Sequence, residues 1–61
     1  MFIVRVLSED CEPMFTSAPV GESRAWELFA HHEGLIRSGE CVQMFHDSES
    51  GDGMVVAEVN A

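Results

Sequence analysis

The sequence predicts a small α+β domain, β-β-α-β-β, in which a mainly antiparallel four-stranded sheet carries one helix on one face. Three observations lead there. Only Gly21 to Arg37 sustains a helical spacing of apolar residues, with Ala25, Leu28, Phe29, His32 and Ile36 on one face and Leu35 beside it. The segments on either side are short, rich in β-branched or aromatic residues, and bounded by turn formers, as strands are. A chain of 61 residues buries only about 60% of its unfolded surface, so it must use nearly every large apolar residue in one core or gain stability from a partner or self-association. Residues 1–61 are therefore read as a single domain.

Phe2 to Leu7 reads as the first strand, with Phe2, Val4 and Val6 inward and Ile3, Arg5 and Leu7 on the wetter face. Ser8 to Pro13 is a polar turn, and Met14 to Thr16 returns as a short edge strand, since Pro13 cannot donate to a ladder. Ser17 is a candidate helix cap and Pro19 suits a first turn, so the helix start falls between Ala18 and Glu22. Gly34 offers one stop, near Glu33. Continuation to Arg37 with Gly39 as cap is favoured, because Leu35 and Ile36 prolong the apolar face. Glu40 to His46 and Met54 to Val59 are the remaining strands, joined by the loop Asp47 to Gly53, with Val55, Ala57 and Val59 sharing a face. Ile3, Leu7, Cys41 and Phe45 are expected on the uncovered side of the sheet.

Charge is the strongest global signal. Eleven carboxylates face three arginines and no lysine, for a net charge of −8. Such a surface repels nucleic acid and anionic membranes and attracts basic protein surfaces. Acidic charge also keeps small proteins soluble, but solubility alone does not require excluding lysine. Met1 leads directly into strand-like sequence with no apolar run of membrane-spanning length, which predicts a cytoplasmic protein. Cys11 and Cys41 fit reduced thiols there better than a lone disulfide.

Recognised chemistry is missing from the pattern. Counted from Asp47, a calcium loop would need an oxygen ligand, glycine and glutamate where Gly51, Asp52 and Glu58 stand, and only the last fits. His31, His32, His46 and the two cysteines lack the spacings of zinc sites. His32 is expected to border the core and His31 to face solvent, either one able to serve as a pH-sensitive contact. No nucleophile, base and orienting acid are arranged locally, and no glycine-rich phosphate loop is present. The reading is a non-enzyme with no cofactor and no metal.

Size, net charge, the lack of lysine and the compact strand–helix plan make the chain resemble the small acidic proteins of phages and mobile elements. That class includes anti-CRISPR and anti-restriction proteins, some of them DNA mimics. The resemblance implies a stoichiometric inhibitor in a bacterial host, presenting carboxylates to a basic nucleic-acid-binding site of a nuclease or effector complex. The partner-binding candidates are Glu9, Asp10 and Glu12 in the first turn and Asp47, Glu49 and Asp52 in the second loop. Glu22, Glu33 and Trp26 on one helix flank complete the set. Were the two turns at one end of the sheet, six carboxylates would form one patch. At opposite ends, the helix acids Glu22, Glu27 and Glu33 become the better candidates. The alternative is a structural or regulatory domain that dimerises through its open sheet face or an edge strand.

Overall fold

The computed structural model describes residues 1–47 and 54–61. Its elements are β1 (Phe2–Leu7), β2 (Pro13–Thr16), α1 (Glu22–Glu33), β3 (Cys41–His46) and β4 (Val55–Asn60). The strands form one sheet in the order β2-β1-β3-β4, every neighbouring pair antiparallel. Because β2 and β3 both run against β1, they run parallel to each other. A parallel relation cannot be closed by a tight turn, and α1 supplies the crossover it needs.

Alternation along β1 and β3 generates the core. Val4 pairs with Met44 and Val6 with Val42, and all four turn toward the helix. Ala25 and Phe29, one helical turn apart, meet them: the small alanine lets the helix backbone approach while the phenylalanine fills the space beside it. Phe2, Val20, Leu28, Ile36, Ala57 and Val59 pack around these six buried residues. The predicted inward faces of β1 and α1 are those observed.

Four local expectations are corrected. The helix ends at Glu33, not Arg37, with Gly34 as its C-cap in a right-handed conformation (φ −75°, ψ −10°). The N–H groups of Leu35 and Ile36 both turn back to the His32 carbonyl (2.9 and 3.1 Å), so Ile36 drops toward the core while Leu35 swings outward. Gly39 is consequently not the helix cap. It occupies the third position of a turn closed by the Glu40 N–H donating to the Arg37 carbonyl (2.9 Å), and its φ of +92° is one that glycine adopts readily. Ser17 does not cap α1 either. Its hydroxyl accepts the Val4 N–H (2.9 Å) and donates to the Ala18 carbonyl (3.0 Å), while Gly21 takes the N-cap position without a side-chain bond. Ser17 to Val20 instead continues along β1, with Phe2 and Val20 exchanging backbone hydrogen bonds of 2.7 and 2.9 Å, so Pro19 lies in extended chain before the helix.

The fourth correction concerns β4. Its pairing with β3 slips between Met44 and Phe45, so Ala57 opposes Met44 but Val55 opposes Phe45. Val56 is the extra residue of this bulge, and Val55 is moved off the face that holds Ala57 and Val59. The loop expected between Asp47 and Gly53 falls mostly on residues 48–53, outside the described residues.

The two glycines of the α1–β3 connection make opposite predictions in chemical denaturation. A Cβ at Gly34 meets only ordinary contacts, 3.6 Å from the His31 carbonyl oxygen and 3.9 Å from that of Ala30. Gly34→Ala is expected to stabilise the fold by about 0.4–1 kcal/mol, through a less flexible unfolded chain. At Gly39 a Cβ would stand 2.9 Å from the Glu9 Cβ in addition to the positive φ, so Gly39→Ala is expected to destabilise by about 1–3 kcal/mol.

Candidate protein-binding surface

The first turn is tied down by its own backbone and by Ser8. The Ser8 N–H donates to the Glu12 carbonyl (2.8 Å), the Cys11 N–H returns to the Ser8 carbonyl (2.9 Å), and Cys11 takes a left-handed φ of 63°. The Ser8 hydroxyl accepts the N–H groups of Asp10 (3.3 Å) and Glu12 (3.2 Å). With the backbone so engaged, the carboxylates of Glu9, Asp10 and Glu12 are left exposed. Glu40 belongs to the same end of the sheet, since its neighbour Gly39 packs against Glu9, the Gly39 N–H donates to the Ala61 carbonyl (3.2 Å) and the Ala61 N–H donates to the Glu40 carbonyl (3.0 Å).

Asp47 lies at the other end, its N–H donating to the Met1 carbonyl (2.9 Å). The first turn leaves β1 at Leu7, whereas β3 departs opposite Phe2, so the acids of the first turn do not join Asp47 in a single patch. Glu49 and Asp52 lie outside the described residues. The arrangement is the one that shifts weight to the helix acids. Glu22, Trp26 and Glu33 are spaced to share one flank and are all exposed. Trp26 is 42% exposed and meets Phe29 edge to face at 5.7 Å between ring centroids, so one side of the indole covers the core and the other is available. Glu27 is partly compensated by Arg24 at 3.1 Å.

The uncovered sheet face carries Ile3, Leu7, Cys41 and Phe45, as expected, but a polar row divides them. Arg5 Nη2 donates to Gln43 Oε1 (2.9 Å), Gln43 Nε2 to Glu58 Oε2 (3.0 Å), and Asn60 Nδ2 to Glu58 Oε1 (3.2 Å). The Arg5 guanidinium also lies 5.1 Å from the Phe45 ring centre. Bonded across three strands, these groups suit a solvated face rather than a continuous apolar seam.

Sequence reasoning missed a cleft between β2 and the C-terminal end of α1. Met14, Phe15, His32, Leu35, Ile36 and Glu40 surround an open hollow of about 170 Å³, with Val6 at its base. His32 stacks on Phe15 with ring centroids 4.4 Å apart and 30° between planes. The available signal was the placing of Met14 and Phe15 on a short edge strand and Leu35 just past a helix-ending glycine. Cys11 and Cys41 are free thiols. Among the described residues no three metal-binding side chains converge, and no helix is long and apolar enough to cross a membrane.

Burial against Phe15, and secondarily the neighbouring His31, lowers the His32 pKa below its ordinary value of 6.5. With a depressed folded pKa, the stability this residue contributes is present above 6.5 and is lost as pH falls toward the folded value. In a proton NMR titration His32 is expected to titrate below the ordinary histidine value of 6.5. Phe15→Ala and His31→Gln should each move it upward, and an unmoved value in both would remove the two causes. No protein family, curated protein or solved structure matches this chain.

Proposed function

We propose that this protein is a non-catalytic, stoichiometric inhibitor that binds the basic nucleic-acid-binding site of a bacterial nuclease or effector complex. The observation that carries the reading is the disposition of charge. On a chain of net charge −8 with no lysine, eight of the nine described acidic residues are exposed, and Glu40 is half-buried. They occupy the first turn, the helix surface, the sheet ends and, at Glu58, the uncovered face of the sheet, so a concave cationic groove would meet carboxylates over much of this surface. Fixed carboxylates of this kind compete with phosphates for arginine and lysine, accelerate association and make it strongly salt-dependent.

The test is affinity capture from nuclease-treated bacterial lysate, washed in rising salt, followed by competition between this protein and DNA or RNA for the captured partner. A nucleic-acid-binding protein released by salt and blocked one-to-one is the expected result. Reversing Glu22 and Glu33 to lysine should weaken capture by roughly tenfold or more at low salt without unfolding the domain. A partner that resists salt, or that keeps its nucleic acid in the presence of this protein, would overturn the reading.

A second reading is self-association through β4, favoured by the contrast between the sheet's edges. β2 has four residues and begins with Pro13, both features that discourage added strands. β4 has six, contains neither proline nor lysine, and leaves Val55 and Val56 about half exposed. On that reading sedimentation shows a dimer that persists at high salt and is lost in Val56→Lys. A monomer at all concentrations rejects it.

A further inference from the structure

We propose that the cleft between β2 and the end of α1 is a docking site for a large apolar side chain carried on a lysine- or arginine-flanked segment of a partner protein. The inference rests on the reading that the chain binds a basic protein surface, and it names where the contact is anchored.

Three features of the cleft point to that occupant. Its walls are large side chains left in solvent: Leu35 is 62% exposed, Met14 57% and Phe15 37%. A domain that must use nearly every apolar residue for its core does not do so here, and the residues lie together around one hollow rather than scattered. The hollow, about 170 Å³, is open and of a size for one leucine, methionine or aromatic side chain rather than a cofactor.

The rim supplies the second specificity. Glu40 lines the cleft with one carboxylate oxygen held by the Arg37 N–H (2.8 Å). Glu12 precedes Met14 by two residues, and Glu9 packs against Gly39 next to Glu40. The basic groups nearby are Arg37 in the same connection and, along the adjoining hollow that shares Phe15 and His32, His31 and Arg24, the last paired with Glu27 at 3.1 Å. An apolar centre bordered by polar groups is the anatomy of a protein-binding hot spot, and here the bordering carboxylate is Glu40, with Glu9 and Glu12 of the first turn close to it. The same carboxylates disfavour a second copy of this chain as the occupant, because each copy would bring them too.

The α1 terminus explains why the cleft exists. Continuation of the helix to Arg37 would have kept Leu35 beside the apolar stripe. The stop at Gly34 sends Ile36 inward and leaves Leu35 standing opposite Met14 and Phe15.

The test is a methyl and imidazole NMR titration of the whole chain with a short peptide bearing one leucine between lysines and arginines. Two control peptides replace the leucine by alanine or the basic residues by glutamate. Saturable shifts at Met14, Leu35 and His32 are expected, with affinity at least about tenfold above either control and falling with salt. Leu35→Ser, a change at an exposed position, should abolish the shifts while the remaining spectrum stays native. Equal binding of the alanine peptide, shifts confined to other residues, or no shifts in the millimolar range would each overturn the site. Concentration-dependent shifts at the same methyls without peptide would overturn it too, assigning the cleft to a second copy. Capture of a nucleic-acid-binding partner that is unaffected by Leu35→Ser would overturn this docking site and leave the inhibitor reading standing. Peptide docking with no blocked partner in lysate would do the reverse.

Discussion

The contact of Ala25 and Phe29 with Val4, Val6, Val42 and Met44 is the interaction on which the rest of the molecule depends. Among the described residues six side chains are buried, and four of them come from the two central strands. Among the described residues no polar residue is buried with them, so this core is held by apolar packing. Its geometry fixes the helix across β1 and β3, and that position decides which other surfaces remain open. The far face of the sheet is uncovered, β4 is an edge, and the cleft forms where the helix stops short beside β2.

A core this small also governs where charge can go. An unpaired carboxylate in so thin an interior would cost more than the few apolar contacts around it return, so the acids are driven outward onto turns and the helix surface. The turn of Glu9, Asp10 and Glu12 satisfies its backbone through Ser8, which frees the carboxylates from structural duty. Glu58 and Glu40 are different: the first joins the row to Asn60 and Gln43, and the second caps the Arg37 turn. The acids available to a partner are therefore those of the first turn and the helix flank, where they impose no cost on the fold.

Much of the architecture was legible because period and punctuation agree. The alternation of Val4 and Val6, the helical spacing of Ala25 and Phe29, and Pro13 on a short strand lead to the observed elements. The errors share a cause, in that local signals were outvoted by long-range bonds. Ser17 reads as a cap but is claimed by Val4 of the neighbouring strand. Gly39 reads as a cap but is needed where the chain passes close to Glu9. Val55 follows the period-two pattern, yet a bulge against Phe45 shifts it, and no feature of the local pattern announces a bulge. The acids were identifiable one by one. Their grouping was not, because it depends on which end of the sheet each turn leaves from, and that follows from strand order.

Strand order is also what joins the cleft to the acidic surface. With β2 at the edge next to β1, Met14 and Phe15 come beneath the last turn of α1, and the first turn, Glu40 and Glu33 are brought toward the same end of the domain. An arrangement with β2 outside β4 would have separated the apolar hollow from the carboxylates of the α1–β3 connection. The fold thus sets a one-side-chain hollow beside the carboxylate of Glu40 and the acids of the first turn. Long-range attraction of a basic surface has little orientational preference, whereas a hollow that admits one side chain supplies it. The sequence carries charge in abundance; the early stop at Gly34 gives that charge a fixed point around which to act.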